Sequence, residues 1–103
     1  FARIGDLALV AANAMVSLDI PPFCIAAGDR ATLRGLNMTG LKRAGMDSDR
    51  RAELAKNYKH LFRNGPGRRE RASRLAEHDI EEIRVMAIFF LKSERGVPTT
   101  RMG

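Results

Sequence analysis

The chain has 103 residues, a net charge of +6 and a single cysteine. This length accommodates one domain at most, and no apolar run approaches the roughly 18 residues that a membrane-spanning helix needs, so nothing here predicts membrane insertion. Cys24 alone can form neither an internal disulfide nor a thiolate metal cluster, and we expect a buried, inert thiol.

The positive charge is concentrated in the middle of the chain. Residues 29–74 carry 13 basic and five acidic side chains, whereas residues 1–28 and 75–103 each have a net charge of −1. Such a block attracts nucleic acid, a nucleotide or an acidic protein, or it is simply the solvated face of helices. Charge alone leaves these alternatives open.

The first part of the chain has a six-residue period. Ile4, Val10 and Val16 recur at this spacing, and each is followed by a small residue. The pattern is typical of hexapeptide parallel β-helices, in which three hexads make about one triangular coil, although three matches could also arise by chance. A lone coil cannot bury its own apolar face, so we expect further coils before Phe1.

The repeat ends at residues that interrupt strand pairing. Pro21 and Pro22 remove backbone donors, and the following segment FCIAAG predicts a last short strand that Gly28 closes. Residues 35–43, GLNMTGLKR, resemble neither a strand nor a helix and are expected to form a glycine-relieved hinge.

The second half predicts about three helices. Asp47 or Ser48 caps the first, whose apolar residues follow helical spacing until NGPG stops it. A second helix is expected over about 68–77, and a third from about residue 79 to a stop at Gly96 and Pro98. The tail TTRMG is expected to be loose. The fold class is therefore a mainly α helical domain over residues 35–103, preceded over residues 1–34 by the terminal coil of a β-helix.

Catalytic residues are scarce. His60 and His78 have no cysteine or serine nucleophile at a useful spacing, and we expect surface or capping roles for both. No cluster of metal ligands and no phosphate-binding glycine loop of the strand-to-helix kind occurs, so no cofactor is predicted. The basic block lacks evident stacking aromatics, which argues against nucleic acid as a partner.

The segment DIPPFCIAAGDRATLRGLNMTGLKRAGM, with the hexads before it and the helices ending in SERG after it, resembles the C-terminal part of the UDP-N-acetylglucosamine O-acyltransferases. This family catalyses the first step of lipid A biosynthesis, and the resemblance covers essentially the whole chain. It implies a cytoplasmic homotrimer of left-handed parallel β-helices, each capped by a C-terminal helical domain.

The resemblance also implies a reaction. Family members move an (R)-3-hydroxyacyl group from acyl carrier protein to the glucosamine 3-hydroxyl of UDP-N-acetylglucosamine, without a metal or other cofactor. Their general-base histidine lies upstream of Phe1, so no catalytic residue is expected in this chain, and the chain alone should be inactive.

Four positions match substrate contacts of the family. Asn37 corresponds to a contact with the uracil and Arg43 to a contact with the diphosphate, chemistry that suits an amide and a guanidinium. Thr39 stands where relatives often have glutamate, and Ala12 stands where a residue limits acyl-chain length. Ala44 falls where some members have a second arginine.

The remaining basic residues could form a face for the acidic acyl carrier protein. The candidates are Arg50, Arg51, Lys56, Lys59, Arg68, Arg69 and Arg71. Two alternatives stay open at this point: a small basic helical module that binds RNA or an acidic protein, and a piece that only caps and trimerises a solenoid.

Overall fold

The computed structural model describes residues 2–100. A three-stranded sheet precedes four helices, and its strand order is β1-β2-β3. The strands are β1 (Leu9–Val10), β2 (Cys24–Ala27) and β3 (Thr32–Leu36), and the helices are α1 (Met38–Arg43), α2 (Ser48–Phe62), α3 (Arg68–Leu75) and α4 (Glu81–Lys92).

The start of the chain stacks on the segment that follows it. Ile4 pairs with Ile20 in a parallel bridge, and β1 pairs with β2 in parallel, with Leu9 opposite Ile25. Both pairs are separated by 16 residues, not by the 18 that three hexads would give. Residues 11–19 contain no strand. The spacing between stacked residues is therefore not set by the six-residue period of the sequence.

The expected strand at FCIAAG is present as β2, but it does not lead directly into helices. β3 pairs with β2 in antiparallel fashion, with Cys24 opposite Leu36 and a bulge between Ile25 and Ala26. Gly28, at φ 95°, lies in the connection between the two strands. The chain therefore reverses once more before the helical part, and β3 runs across the expected boundary between residues 34 and 35.

The expectation of about three helices is wrong, because the segment 35–43 contains a fourth. Gly35 and Leu36 end β3, Asn37 caps α1, and Leu41 anchors this six-residue helix in the core. Two turns are too short to show an apolar period, and a glycine at position 40 argues against a helix. What looked like a hinge is thus the end of a strand followed by a short helix.

The other three helices agree with the sequence. The carboxylate of Asp47 accepts a 2.8 Å hydrogen bond from the amide of Arg50 and so caps α2. The apolar sides of α2, α3 and α4 pack together and against the sheet, forming one core that includes Ile20, Leu33, Leu61 and Ile83. Cys24 belongs to this core, and burial raises the pKa of its thiol.

The last described residues return to the sheet. Thr100 is buried and bridges to Leu33, and its hydroxyl lies 2.6 Å from the hydroxyl of Tyr58. The expectation of a loose tail is therefore wrong for Thr100, while residues 101–103 lie outside the described part of the chain. Within residues 2–100, no helix is long and apolar enough to cross a bilayer.

Candidate functional site

Asn37 connects the stacked segments to the helical part. Its backbone amide donates a 2.6 Å hydrogen bond to the carbonyl of Phe23, and its Nδ2 donates a 2.9 Å bond to the carbonyl of Leu7. Its Oδ1 accepts a 3.0 Å bond from the amide of Gly40, which caps α1. The side chain is only 8% exposed. One asparagine therefore positions α1 against two successive segments of the chain.

The two carbonyls that Asn37 contacts belong to unusual residues. Leu7 has φ 58° and Phe23 has φ 70°, both in the left-handed region that side chains larger than asparagine rarely adopt. They lie 16 residues apart, so they occupy equivalent corners of the stacked segments. Backbone strain of this kind is found preferentially near functional sites, and here it lies directly beside a sequence-predicted substrate residue.

Helix α1 carries two of the sequence-predicted residues on its surface. Thr39 and Arg43 are both exposed, and Lys42 and Arg43 lie in the last turn, where positive charge complements the helix dipole. Within residues 2–100, Arg43 donates no hydrogen bond to the protein and forms no ion pair, so its guanidinium is available to a ligand. The cap Asn37 and the helix thus bring three of the four predicted residues together.

A cavity of about 220 Å³ lies beside α1. Apolar side chains and the small residues Ala44 and Gly45 form part of its wall. The ion pair between Arg50 and Glu82 provides the charged part of the wall. Its lining residues are Leu7, Phe23, Leu41, Ala44, Gly45, Met46, Arg50 and Glu82. Both left-handed corners therefore face the same cavity as the end of α1.

The ion pair at this cavity joins α2 to α4. Arg50 Nη2 lies 2.7 Å from Glu82 Oε1, and both side chains are partly exposed. Burial raises the pKa of the Glu82 carboxyl, but the hydrogen bond from Arg50, the backbone amide of Glu82 and the charges of Arg50 and Arg84 together outweigh burial, so the pKa lies below its ordinary value. The carboxylate is therefore ionised at neutral pH and holds the Arg50 guanidinium at the cavity.

Ala12 lies apart from the other predicted residues. It is exposed in the irregular segment that follows β1, and it does not line the cavity beside α1.

Neither histidine forms part of a catalytic pair in the described part of the chain. His78 Nδ1 accepts a 3.0 Å hydrogen bond from the amide of Ile80, the N-cap residue of α4. His60 is exposed, and burial together with Arg63, Arg71 and Arg74 lowers its pKa. Residues 2–100 contain no group of three or more side chains that could hold a metal ion.

Two features of this site were not found from the sequence. The left-handed corners are occupied by leucine and phenylalanine, residue types that give no sign of positive φ. The Arg50–Glu82 pair joins residues 32 positions apart, and no local pattern points to it. The capping role of Asn37 did have a signal, since asparagine is a preferred N-cap residue.

Comparison with known proteins assigns the chain to a family. Residues 19–98 match the family model described as Udp N-acetylglucosamine O-acyltransferase, domain 2. The chain belongs to the UDP-N-acetylglucosamine O-acyltransferase family. The resemblance noted in its residues is therefore confirmed.

Individual members of the UDP-N-acetylglucosamine O-acyltransferase family match nearly the whole chain. Relatives from Sulfurovum sp. and Nautilia profundicola, both named acyl-(acyl-carrier-protein)–UDP-N-acetylglucosamine O-acyltransferase, are each 40% identical over 102 residues, covering 98% of this chain and 39% of the relative. The solved UDP-N-acetylglucosamine acyltransferase from Campylobacter jejuni is 37% identical, with a TM-score of 0.88, and the match covers 98% of this chain and 40% of that structure. The chain spans about two fifths of the length of these relatives.

Proposed function

We propose that this chain is the C-terminal part of an O-acyltransferase that moves an (R)-3-hydroxyacyl group from acyl carrier protein to the 3-hydroxyl of UDP-N-acetylglucosamine in lipid A biosynthesis. The observation that carries the proposal is the 40% identity, over 98% of this chain, to a relative named for this carrier protein and this sugar nucleotide. Because the match covers nearly the whole chain, chance similarity in a single motif does not explain it.

The proposed assembly is a cytoplasmic homotrimer of left-handed parallel β-helices, with residues 1–34 as the terminal coil and residues 35–103 as the helical domain. The parallel stacking of β1 on β2 supports the coil. Exposed apolar side chains support the proposed homotrimer, since Ile4 and Leu9 on the stacked segments are 49% and 50% exposed. Large exposed apolar side chains in a contiguous segment are typical of surfaces that further protein covers.

In this proposal α1 and its cap bind the nucleotide. Two hydrogen-bonding positions of the Asn37 amide are used inside the protein, which leaves one N–H and one lone pair for the edge of the uracil. Arg43 presents an exposed guanidinium for the diphosphate, which it can hold through two parallel N–H donors. The exposed hydroxyl of Thr39 supplies a further polar contact. Ala12 limits the length of the acyl chain.

Transfer of an acyl group to a hydroxyl requires a general base. His78 Nδ1 already accepts a hydrogen bond from the amide of Ile80, and the exposed His60 is partly desolvated and lies among arginines, which disfavour its protonated form. We therefore propose that the general-base histidine belongs to a part of the enzyme outside this chain, and that no metal or other cofactor takes part.

The acidic carrier protein is proposed to dock on α2. All five candidate arginines have hydrogen bonds within the protein: Arg50 to Glu82, Arg51 to the carbonyl of Met46, Arg68 to the carbonyls of Val97 and Pro98, Arg69 to the carbonyl of Leu91, and Arg71 to the carbonyl of Pro66. Lys56 and Lys59 are exposed one turn apart on α2, so they are the best placed to steer an acidic partner.

A chimera tests the proposed function. This chain would replace the matching C-terminal part of the Campylobacter jejuni acyltransferase, and acyl transfer to UDP-N-acetylglucosamine would be followed by mass spectrometry. We expect the chimera to be active and the isolated chain to show no turnover. A chimera that has the same size as the parent enzyme in gel filtration and a cooperative thermal transition, but transfers no acyl group, would refute the proposal.

A further inference from the structure

A group of basic side chains lies around Arg71 of α3. His60 lies in the last turn of α2 and Arg63 is the C-cap residue of that helix, while Arg71 lies in the middle of α3 and Arg74 in its last turn. These residues are close enough that Arg63 and Arg74 lower the pKa of Arg71, after the effect of burial, and all three arginines lower that of His60. Within residues 2–100, no acidic side chain forms an ion pair with any of them.

Arg71 is the most confined member of this group. Its side chain is only 6% exposed, and Nη1 donates a 2.8 Å hydrogen bond to the carbonyl of Pro66. Nε and Nη2 are buried and have no hydrogen-bond partner in the protein. Buried donors without a partner are rare in folded proteins, and a bound ion or water is a common explanation.

The Arg71 guanidinium lies at the start of α3. The helix begins after Gly67, which has φ 85° and no side chain, so no side-chain hydrogen bond caps its first turn. A Cβ atom at Gly67 would lie 3.2 Å from Arg71 Nη1, which places the guanidinium against this end of the helix. The free backbone amides and the positive end of the helix dipole therefore meet a guanidinium with unused donors.

Burial and the charge of Arg71 lower the pKa of Arg68, the first residue of α3, but its guanidinium has partners elsewhere. Its Nη2 donates to the carbonyls of Val97 and Pro98, and its guanidinium packs over the ring of Phe90 with 4.9 Å to the centroid. Arg69 is likewise directed elsewhere, since its Nη2 lies 3.4 Å from the carbonyl of Leu91. Arg69 thus offers a matched control on the same helix.

We propose that the N-terminus of α3 and the side chain of Arg71 bind a phosphate-type oxyanion, with the charges of Arg63 and Arg74 strengthening the site. A phosphate dianion accepts hydrogen bonds from helix amides and from a guanidinium at the same time, and its charge offsets several like charges. The ligand is either free inorganic phosphate or the terminal phosphoryl group of a small molecule. This site lies on a different helix from the proposed nucleotide contacts of α1 and does not depend on the proposed function.

Titration calorimetry of the full chain with inorganic phosphate, methyl phosphate, dimethyl phosphate and acetate tests this proposal. We expect inorganic phosphate to bind, and Arg71→Gln to weaken binding about tenfold or more, since one charge-assisted contact is worth about that much. Arg69→Gln removes the same charge from the same helix and should change the dissociation constant by less than about twofold. Dimethyl phosphate and acetate should bind much more weakly than phosphate.

The two sources of the anion and the possible failures give distinct results. If methyl phosphate binds as tightly as inorganic phosphate, the ligand is a phosphoryl group on a larger molecule. If methyl phosphate does not bind, the ligand is the free phosphate ion. No phosphate binding, equal binding of acetate, or equal weakening by Arg69→Gln and Arg71→Gln would each overturn the proposal. Should Arg71→Gln not fold, the double variant at the exposed Arg63 and Arg74, both changed to glutamine, gives the same comparison.

Discussion

Asn37 Nδ2 donates a 2.9 Å hydrogen bond to the carbonyl oxygen of Leu7, which lies 30 positions earlier in the chain. The same amide group caps α1 through its oxygen, so one side chain fixes both the position and the start of that helix. The exposed Thr39 and Arg43 are displayed by this helix. The placement of the proposed nucleotide contacts therefore depends on a bond to a strained corner of the stacked segments.

Replacing Asn37 should reduce stability through both bonds. Asn37→Ala removes the cap and leaves the Leu7 carbonyl unpaired, so we expect a loss of about 2 kcal/mol in the free energy of unfolding, measured by urea denaturation. Asn37→Asp keeps an oxygen for the cap but cannot donate to Leu7, so it should also lower the free energy of unfolding. Thr39→Ala on the same helix is the control, with a change within about 0.5 kcal/mol. A change of that small size for Asn37→Ala would contradict the proposed role.

Gly40 should reverse the usual effect of a glycine-to-alanine change in a helix. Alanine normally stabilises a helix interior by about 1 kcal/mol relative to glycine. At Gly40 a Cβ atom would lie 2.5 Å from Asn37 Nδ2, which its two hydrogen bonds hold in place. We therefore expect Gly40→Ala to destabilise the chain in urea denaturation.

A double-mutant cycle separates this explanation from others. In the Asn37→Ala background the clash is absent, and Gly40→Ala should then become neutral or stabilising. The same destabilisation by Gly40→Ala in both backgrounds would show that the conflict with Asn37 is not its cause.

The sequence predicts an element well when several local signals agree. In α2 the capping residue Asp47, the apolar spacing through Leu54 and Leu61, and a following glycine-rich stop all indicate the same helix. In α1 the signals conflict, since Gly40 disfavours a helix in isolation. The folded chain nevertheless requires glycine at this position, because a Cβ atom would collide with the side chain of Asn37.

The sheet and the cavity beside α1 show a second reason why sequence alone does not predict the structure: contacts between residues distant in the chain. The segment TLRGL forms β3 although it contains a glycine and an exposed arginine, because its pairing with β2 and the burial of Leu33 and Leu36 stabilise it. Residues distant in sequence build the cavity beside α1, where Leu7, Arg50 and Glu82 meet. Family resemblance predicts substrate contacts at residues that the fold places on α1, but only the fold shows that the left-handed corners and the ion pair line the cavity beside this helix.

Asp19 should make stability depend on pH in the acid range. This buried carboxylate accepts a 2.7 Å bond from the amide of Arg3 and a 2.6 Å bond from the hydroxyl of Ser93. Burial raises its pKa, but these bonds and the charges of Arg3 and Arg95 outweigh that effect and lower the pKa below 3.8. A lowered pKa in the folded state means that the stabilisation is complete above the unfolded pKa and is lost as pH falls through the folded one.

Urea denaturation of wild type and Asp19→Asn between about pH 2.5 and 7 tests this expectation. The variant should be less stable at pH 7, and the difference in the free energy of unfolding should shrink as the pH falls below about 4. Asp29→Asn changes an exposed carboxylate and should leave the curve close to wild type. A difference between wild type and Asp19→Asn that stays constant with pH would rule out the ionised carboxylate as the stabilising species.

Ala12 is expected to affect the length of the transferred acyl chain. In the chimera with the Campylobacter jejuni enzyme, Ala12→Gly removes a methyl group and should shift the products towards longer acyl chains, as seen by mass spectrometry with a mixture of acyl carrier protein substrates. Ala11→Gly changes the neighbouring exposed residue and should not shift them. An unchanged product profile for Ala12→Gly would count against a role in acyl length.

Arg43 is expected to bind the diphosphate of the sugar nucleotide, because its guanidinium is exposed and has no partner among residues 2–100. In the same chimera, Arg43→Ala should raise the KM for UDP-N-acetylglucosamine about tenfold to a hundredfold, the value of one or two charge-assisted hydrogen bonds. Arg43→Lys keeps the charge but loses the two-pronged geometry, so it should recover only part of the affinity. Inhibition by UDP should weaken in parallel, since the contact is to the diphosphate and not to the sugar.

Arg34→Ala removes an exposed arginine from β3 and should leave the KM for UDP-N-acetylglucosamine unchanged. Equal KM values for wild type and Arg43→Ala would show that the diphosphate is bound elsewhere.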